Sequence, residues 1–421
     1  MNIHLLAFGS RGDVQPFIAL GLGLRRAGYT VSIGAAASFQ KCIESSGLRF
    51  LPAQADVPNL LQADLFPRGV RWEQVQTLLD ETLRLAQGAD ALIFNPAAIF
   101  SAPHVAEKLG IPAIAALFQP YLNPTGDFPA PGMPSLPFGR LYNRASYQMA
   151  DSWLWAFLRE RINDWRWRVL GLPPVDSAPF DLIRQQQTPI LYAFSPLVLP
   201  RPAEWGAAVH VTGYWFLPTP AQWKPSPALT AFLNEGAPPV YVGFGSMANR
   251  DSPHTARIVM EALDRLGTRA VLVSGWGGMA VPTSGETDML LLENVPHDWL
   301  FPQMAAIVHH GGAGTLGAGL RAGKPNVIVP FTGDQPFWGA QVQRLGVGPA
   351  PLPHAKLTVT ALANALHDAL HDSAMQARVA ALGEQLRAED GVGAALKIIE
   401  GVLGKPLGVN RATESAPVPA C

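Results

Sequence analysis

At 421 residues, with 48% hydrophobic and 15% charged residues, the chain is long enough for two globular domains, each with its own core. A formal net charge of -1 excludes a global attraction to nucleic acid or to an anionic membrane. Cys42 and Cys421 lie in unrelated contexts without metal-ligand spacing, so neither a zinc site nor a disulfide framework is expected, and a reducing, cytoplasmic setting fits.

The pattern predicts a strand at Ile3–Phe8, too short for a secretory leader, then a helix at Phe17–Ala27 ended by Gly28 and a strand at Thr30–Ala35. Short apolar runs at Ala91–Phe94 and Ala113–Phe118 flank a helical pattern around His104–Leu109. This alternation is the rhythm of a parallel, doubly wound sheet. Between the first strand and its helix stands Gly9-Ser10-Arg11-Gly12-Asp13. A carboxylate at the carboxyl end of a strand can take a proton from a hydroxyl, which makes Asp13 a candidate general base. The same aspartate before Val14-Gln15-Pro16 also suits a helix N-cap, and the spacing leaves both readings open. Ser10 and Arg11 are candidates to contact a ligand phosphate or sugar, or are ordinary turn residues.

The proline- and glycine-rich stretch Asn123–Phe138 reads as a functional loop. Trp72, Phe100, Phe118, Tyr121 and Phe128 are candidates to line an apolar acceptor pocket, with core packing as the alternative for each. In Trp153–Val169, the residues Trp155, Leu158, Ile162, Trp165 and Val169 recur at helical steps. An amphipathic helix packed on its own domain is expected there, with an interfacial membrane helix as the alternative. No stretch approaches the roughly twenty apolar residues of a membrane span.

Proline recurs densely over Pro218–Pro239, and the expected division follows from it: a first domain at 1–217, a linker at 218–239, a second domain at 240–404 and a disordered tail at 405–421. The second domain repeats the rhythm, with strands at Val240–Phe244, Ala270–Ser274, Met289–Leu292, Ala305–His309 and Asn326–Pro330. Helices are expected near Thr255–Leu266, Val359–His371 and Ala374–Leu386. Two doubly wound, Rossmann-like α/β domains facing across a cleft bind their ligand at the carboxyl ends of the strands.

The most informative run is Val308-His309-His310-Gly311-Gly312-Ala313-Gly314-Thr315, followed by Asp334-Gln335. A strand, a glycine turn and a helix start aim backbone N–H groups and a positive helix end at one point, which suits a diphosphate. His310 and the Thr315 hydroxyl add donors, and a tight turn with a satisfied histidine is the alternative. Ser246, after the Val240–Phe244 strand, is a second phosphate donor candidate, and backbone groups at Asn294-Val295 can bond a nucleobase edge. Asp334 and Gln335 supply acceptors and donors for sugar hydroxyls. One rival stands on motif alone: Gly312-Ala313-Gly314-Thr315-Leu316-Gly317 satisfies the dinucleotide fingerprint, so an NAD-dependent oxidoreductase stays open. Against it, several strands precede the glycine run, whereas the fingerprint usually follows a domain's first strand.

Together, Gly9–Pro16, Asn95–Pro112, Val211–Leu217, Tyr241–Met247, Val295–Pro302, His309–Thr315 and Pro330–Gly339 resemble the GT-B-fold nucleotide-sugar glycosyltransferases, in the sterol glucosyltransferase-like and glycopeptide-antibiotic branch. The resemblance implies an inverting, metal-independent transfer of a hexose from a nucleotide diphosphate sugar to a hydroxyl of a lipophilic acceptor such as a sterol, polyketide or other natural product. It implies no cofactor, and a UDP-sugar, UDP-glucose first, with a TDP-sugar still open. It carries over Asp13 as the catalytic base, and His310, Ala313, Gly314 and Thr315 as the diphosphate segment. Asp334 and Gln335 match the pair that grips the donor sugar, Ser10 and Arg11 lie near the donor, and Asn294 and Val295 match the nucleobase pocket. Asn294 stands where the plant small-molecule branch has a base-stacking tryptophan, and Ala318 where it has a ribose-binding glutamate. The implied partners are therefore the nucleotide sugar and a hydrophobic small molecule, with peripheral membrane contact open and no nucleic acid. A nucleotide-sugar epimerase of the same fold is a further alternative.

Overall fold

The computed structural model describes residues 1–54, 72–245, 252–273 and 288–404, leaving aside the side chains of Trp72 and Ser252. Seven strands form a first sheet: β1 (Asn2–Leu6), β2 (Thr30–Ala36), β3 (Arg49–Ala53), β4 (Ala91–Phe94), β5 (Ala113–Leu117), β6 (Ile190–Tyr192) and β7 (Val209–Val211). Their order is β3-β2-β1-β4-β5-β6-β7, and every pairing is parallel. A second parallel sheet holds β8 (Val240–Gly243), β9 (Ala270–Val273), β10 (Met289–Leu292), β11 (Ile307–His309) and β12 (Asn326–Ile328), ordered β10-β9-β8-β11-β12. β4, β8 and β11 are buried along their whole length, as strands covered by helices on both faces must be. The doubly wound α/β architecture expected from the sequence is therefore present twice.

In each sheet the strand order reverses once, between β1 and β4 and between β8 and β11. Helices leave to opposite faces at such a switch, opening a crevice at the strands' carboxyl ends. Both informative turns, Gly9–Asp13 after β1 and His310–Thr315 after β11, open from these switch strands.

The helix after β1 covers Arg11–Arg26 and starts six residues before the expected Phe17. Pro16 delays the apolar pattern without delaying the helix. Close to a helix start, a proline removes few bonds that would otherwise form. The proline-dense stretch 218–239 holds a helix, Pro227–Asn234, whose Ser226 Oγ accepts from the Leu229 N–H at 3.2 Å. Leu229 joins Tyr241, Val271 and Val295 in one apolar cluster, so this segment packs on the second sheet's layer.

The final helix, Gly391–Leu403, packs on Arg11–Arg26 of the first domain. Gly23 allows that approach, since a Cβ there would lie 2.6 Å from Val392 Cγ1. The chain thus crosses between domains near 212–217 and again near 389–391, where Gly213 and Gly391 lie back to back.

Gly139–Trp165 is one long helix, continued by a wider turn at Arg166–Leu170. Trp155, Leu158, Ile162 and Trp165 bury one face against their own domain as expected, while Val169 is exposed. Leu141, Met149 and Phe157 are exposed on the same long helix. Cys42 takes part in a disulfide whose partner lies outside the described residues, which corrects the reading of the two cysteines as unrelated. Two cysteines so far apart in sequence give no spacing signal.

Candidate functional site

Ser10, not Asp13, caps the helix Arg11–Arg26, and Asp13 is its third helical residue. This corrects the N-cap alternative for Asp13, and the cause is local. Gly9 turns the chain with φ at +131°, one residue before the cap. Asp13 Oδ2 then accepts from the Ser10 backbone N–H at 2.8 Å and from Ser10 Oγ–H at 2.9 Å. A Cβ on Gly9 would fall on that carboxylate, 2.8 Å from Asp13 Cγ, so the turn requires a residue without one. Both hydrogen bonds load Oδ2 and leave Oδ1 for a substrate. Burial pushes the Asp13 carboxyl up to about 6, against the lowering by Ser10. A carboxylate so placed is a stronger base than an exposed one and is still ionised at neutral pH.

Across the cleft, β11 ends at His309, whose ring sits fully buried between Asn326 Oδ1 at 3.0 Å and the Gly311 N–H at 3.1 Å. Burial holds its pKa near 3, so the ring is neutral, with Nε2 donating and Nδ1 accepting. That bond fixes the start of the turn. Gly311 has φ at +97°, and a Cβ there would meet Ile328 Cγ2 at 2.8 Å. Gly312 caps the helix Ala313–Arg321, whose first turn carries no acidic residue. Its free N–H groups and positive end face the cleft. Ala313 is buried, Gly314 exposed and Thr315 half-buried at this end.

His310 lies between two glycine turns. A Cβ on Gly312 would come 2.6 Å from its Nε2, and one on Gly245 would come 3.4 Å from its Cε1. Desolvation lowers its pKa to about 4, so the imidazole works as a neutral donor. Its Nδ1 is buried without a hydrogen-bond partner among the described residues.

Asp334 caps the helix Gln335–Leu345, and its Oδ2 accepts from Trp338 Nε1–H at 2.8 Å. Burial raises its pKa to about 6, and the charge of Asp13 adds to the rise. The Asp13 charge, held at the end of a strand of the first sheet, thus bears on a carboxyl of the second. Gln335 is buried, and its Oε1 accepts from the Phe331 and Thr332 N–H groups at 2.7 and 3.2 Å. Only its NH2 remains for a ligand.

The domains also touch at the cleft mouth. Arg11 Nη1 donates to Asn294 Oδ1, and Asn294 is exposed in the turn between β10 and the short helix His297–Leu300. Val295 is 2% exposed and belongs to the core, so it can offer backbone groups alone. His297, which the sequence reading gave no role, stacks on Phe301 at 4.3 Å and lies 3.4 Å from the Tyr241 hydroxyl. Burial, followed by the charge of Arg11, lowers its pKa to about 3.

Among the acceptor candidates, Tyr121 is half-buried near Asp334, and desolvation followed by that charge raises its hydroxyl well above the usual range. Phe118 is core, edge-on to Phe17 at 6.1 Å. Phe100 stacks on Phe180 at 6.2 Å, and Phe128 meets Phe337 of the second domain at 5.1 Å. Ser246 and the Trp72 side chain lie outside the described residues. Gln119, also unmarked by the sequence, follows β5, and its side-chain oxygen is buried without a hydrogen-bond partner among the described residues.

Residues 3–122 match the Glycosyltransferase family 28 N-terminal domain, and residues 283–392 match the Erythromycin biosynthesis protein CIII-like, C-terminal domain. Two sterol 3-beta-glucosyltransferases of Arabidopsis thaliana are 36% and 37% identical over 94% of this chain, which covers 65% and 67% of their lengths. A sterol 3-beta-glucosyltransferase of Emericella nidulans is 36% identical over 95% of the chain, which spans 30% of it. In structure, the glycotransferase of kitacinnamycin aligns over 96% of this chain and 99% of its own, with a TM-score of 0.70 at 22% identity. The glycosyltransferase VinC, solved in complex with DTDP, aligns over 95% and 99%, with a TM-score of 0.63 at 20% identity. At such identities the two structures share the fold.

Proposed function

Because this chain belongs to the GT-B glycosyltransferases, in the branch of the sterol 3-beta-glucosyltransferases, we propose that it moves a hexose from a nucleotide diphosphate sugar to a hydroxyl of a sterol or similar lipophilic alcohol. One observation carries the reading: the turn that holds Asp13 reaches the second domain through the Arg11–Asn294 hydrogen bond, and the second domain's glycine turn enters a helix whose first turn carries no acidic residue.

In this mechanism Asp13 Oδ1 takes the proton of the acceptor hydroxyl. The alcohol oxygen forms its bond to the anomeric carbon as the bond to the diphosphate breaks, on the opposite face, with inversion. Negative charge grows on the departing diphosphate, where the Gly312–Thr315 amides, the helix end and neutral His310 receive it without a metal. Groups already aimed at developing charge need no reorganisation during the step. Asp334 and the NH2 of Gln335 hold the sugar, and Arg11, Asn294 and the Val295 backbone lie toward the base. UDP-glucose is the proposed donor, and the DTDP bound by VinC keeps a thymidine diphosphate sugar as the next donor to test.

A lipophilic acceptor lives in bilayers, so peripheral membrane contact on the cytoplasmic side belongs to the same reading. No helix among the described residues is long and apolar enough to cross a membrane, whereas Leu141, Met149 and Phe157 are exposed. The nicotinamide reading loses support because the glycine run follows β11, the fourth strand of its sheet in chain order.

The test is a nucleotide-sugar panel read by diphosphate release, with and without sterols and other hydrophobic alcohols. Alcohol-dependent release is expected. Sugar interconversion without an acceptor, or thermal stabilisation by NAD in place of nucleotide sugars, would overturn the proposal.

A further inference from the structure

The first sheet reverses its strand order between β1 and β4, and the turn that carries Asp13 grows from the end of β1. In that pair Leu6 stands beside Phe94, and the Asn95 backbone N–H donates to the Leu6 carbonyl at 3.1 Å. A parallel ladder carried one step further would give the Phe8 carbonyl to the N–H two residues on, that of Ala97. The strand does not run that far. Pro96 leads the chain into the short helical turn Pro96–Ala98, and the backbone donor leaves with it. Asn95 Nδ2 takes over its place and donates to the Phe8 carbonyl at 2.5 Å. On the other side of β1, the Ala7 N–H donates to the Gly34 carbonyl of β2 at 2.9 Å. The root of the Asp13 turn is therefore gripped from both neighbouring strands.

An asparagine is a poor choice here for stability alone. Asn95 is fully buried and begins a helical turn, where such a side chain ordinarily caps a nearby N–H, yet it makes no capping bond. A carbonyl can be bonded only through NH2, so the Phe8 contact fixes the orientation of the amide. Its Oδ1 is then buried with no hydrogen-bond partner among the described residues. An orphaned buried oxygen is destabilising, so the amide serves the turn it holds more than the fold as a whole. Phe8 is followed by Gly9, whose φ of +131° lets Asp13 Oδ2 accept from the Ser10 N–H and hydroxyl at 2.8 and 2.9 Å. The peptide joining Phe8 to Gly9 is planar, so holding its carbonyl also sets the direction in which the turn departs.

We propose that Asn95 is a positioning residue for the general base: by holding the Phe8 carbonyl it sets the peptide from which the Gly9–Asp13 turn springs, and so aims the Asp13 carboxylate. The inference rests on the glycosyl-transfer reading and deepens it. Asn95 acts through Phe8, Gly9 and Ser10 and needs no contact with either substrate. A reacting group displaced by about 1 Å can lose about 10²-fold in rate, so a small tilt of this peptide is enough to matter.

The experiment compares the full chain with Asn95→Leu, which removes the donor, and Asn95→Asp, which keeps the shape. Asn95→Leu should lower kcat about 10- to 100-fold at saturating donor and acceptor, while nucleotide affinity stays within about twofold. An unchanged kcat, or nucleotide affinity falling as far as kcat, would overturn the assignment. In Asn95→Asp a protonated carboxyl can donate its O–H to the Phe8 carbonyl, and burial favours the protonated form. This variant should therefore keep most of the activity of the unaltered protein at pH 6; a loss there as deep as that of Asn95→Leu counts against the proposal. A further readout needs no transfer. Asp13→Asn should raise the melting temperature more at pH 8 than at pH 5, because the carboxylate is held where burial disfavours its charge. Combined with Asn95→Leu, that excess should shrink by about half, since a loosened turn lets water reach the charge. An excess that Asn95→Leu leaves unchanged removes Asn95 from this role. No alcohol-dependent turnover in the unaltered protein, with the excess shrinking as stated, would sink the transfer reading and keep Asn95 as the residue that seats Asp13.

Discussion

The turns after β1 and β11 share one plan and differ in charge. Each leaves a buried switch strand, bends at a glycine with positive φ and enters a helix within three residues. The first places a carboxylate in its opening turn, and the second places no acidic residue in its own. A helix start is electropositive in both cases. In the first domain that field faces Asp13, and in the second it is left open for an anion. In the proposed mechanism one backbone device thus holds a base on one wall of the cleft and a leaving group on the other, and side chains alone decide which.

Asp13→Asn should break the comparison hardest. Transfer should fall by about 10²- to 10⁴-fold, the usual worth of a general base. Affinity for nucleotide should remain, and single-turnover rates with equilibrium binding check both. His310→Ala should come next, with kcat reduced about 10²-fold by loss of one donor to developing charge. Its deficit should persist at saturating donor, and an equal effect on ground-state affinity would remove His310 from that role.

A matched pair of glycine substitutions sharpens the contrast. Gly9→Ala pushes a methyl onto the Asp13 carboxylate and should lower kcat while sparing nucleotide affinity. Gly311→Ala strains a turn with φ at +97° and should instead weaken nucleotide binding. Strain of this kind costs about 1–3 kcal/mol, roughly a tenfold effect in each readout, and calorimetric titration distinguishes the two.

The smallest effects concern pH. Burial holds Asp13 and Asp334 near 6, so kcat should decline as pH falls through about 6, with an apparent pKa belonging to the pair. Stability runs the other way. A carboxyl whose folded pKa is raised favours the fold when protonated, and this contribution is lost as pH rises through about 6. Asp13→Asn should therefore raise the melting temperature most at pH 8, about half as much at pH 5, and hardly at all below the ordinary carboxyl value of 3.8. An equal rise at pH 8 and pH 5 would count against burial of the charge.

The sequence was clearest where apolar runs were long or ended at strong punctuation. Ala91–Phe94, Met289–Leu292 and Val359–His371 occupy the expected bounds. The three-residue strands β6 and β7 are too short for any periodicity to register. The helix Pro227–Asn234 was read as linker because prolines were taken as breakers, whereas Ser226 and Pro227 form a start signal. At the site, residues in glycine turns were visible because their local pattern carries the chemistry. His297 was not, since its place beside Tyr241 depends on what another strand brings to it. Ser246 and residues 405–421 fall outside the described residues.

The last helix has a practical consequence. Chain order and structural allegiance part company at Gly391, so severing the polypeptide midway would not release two self-sufficient halves. The leading piece would lose the flank that shields the back of its first helix, and the trailing piece would carry an orphaned apolar rod. Because Gly213 and Gly391 run side by side, the lobes are joined by a two-ply thread.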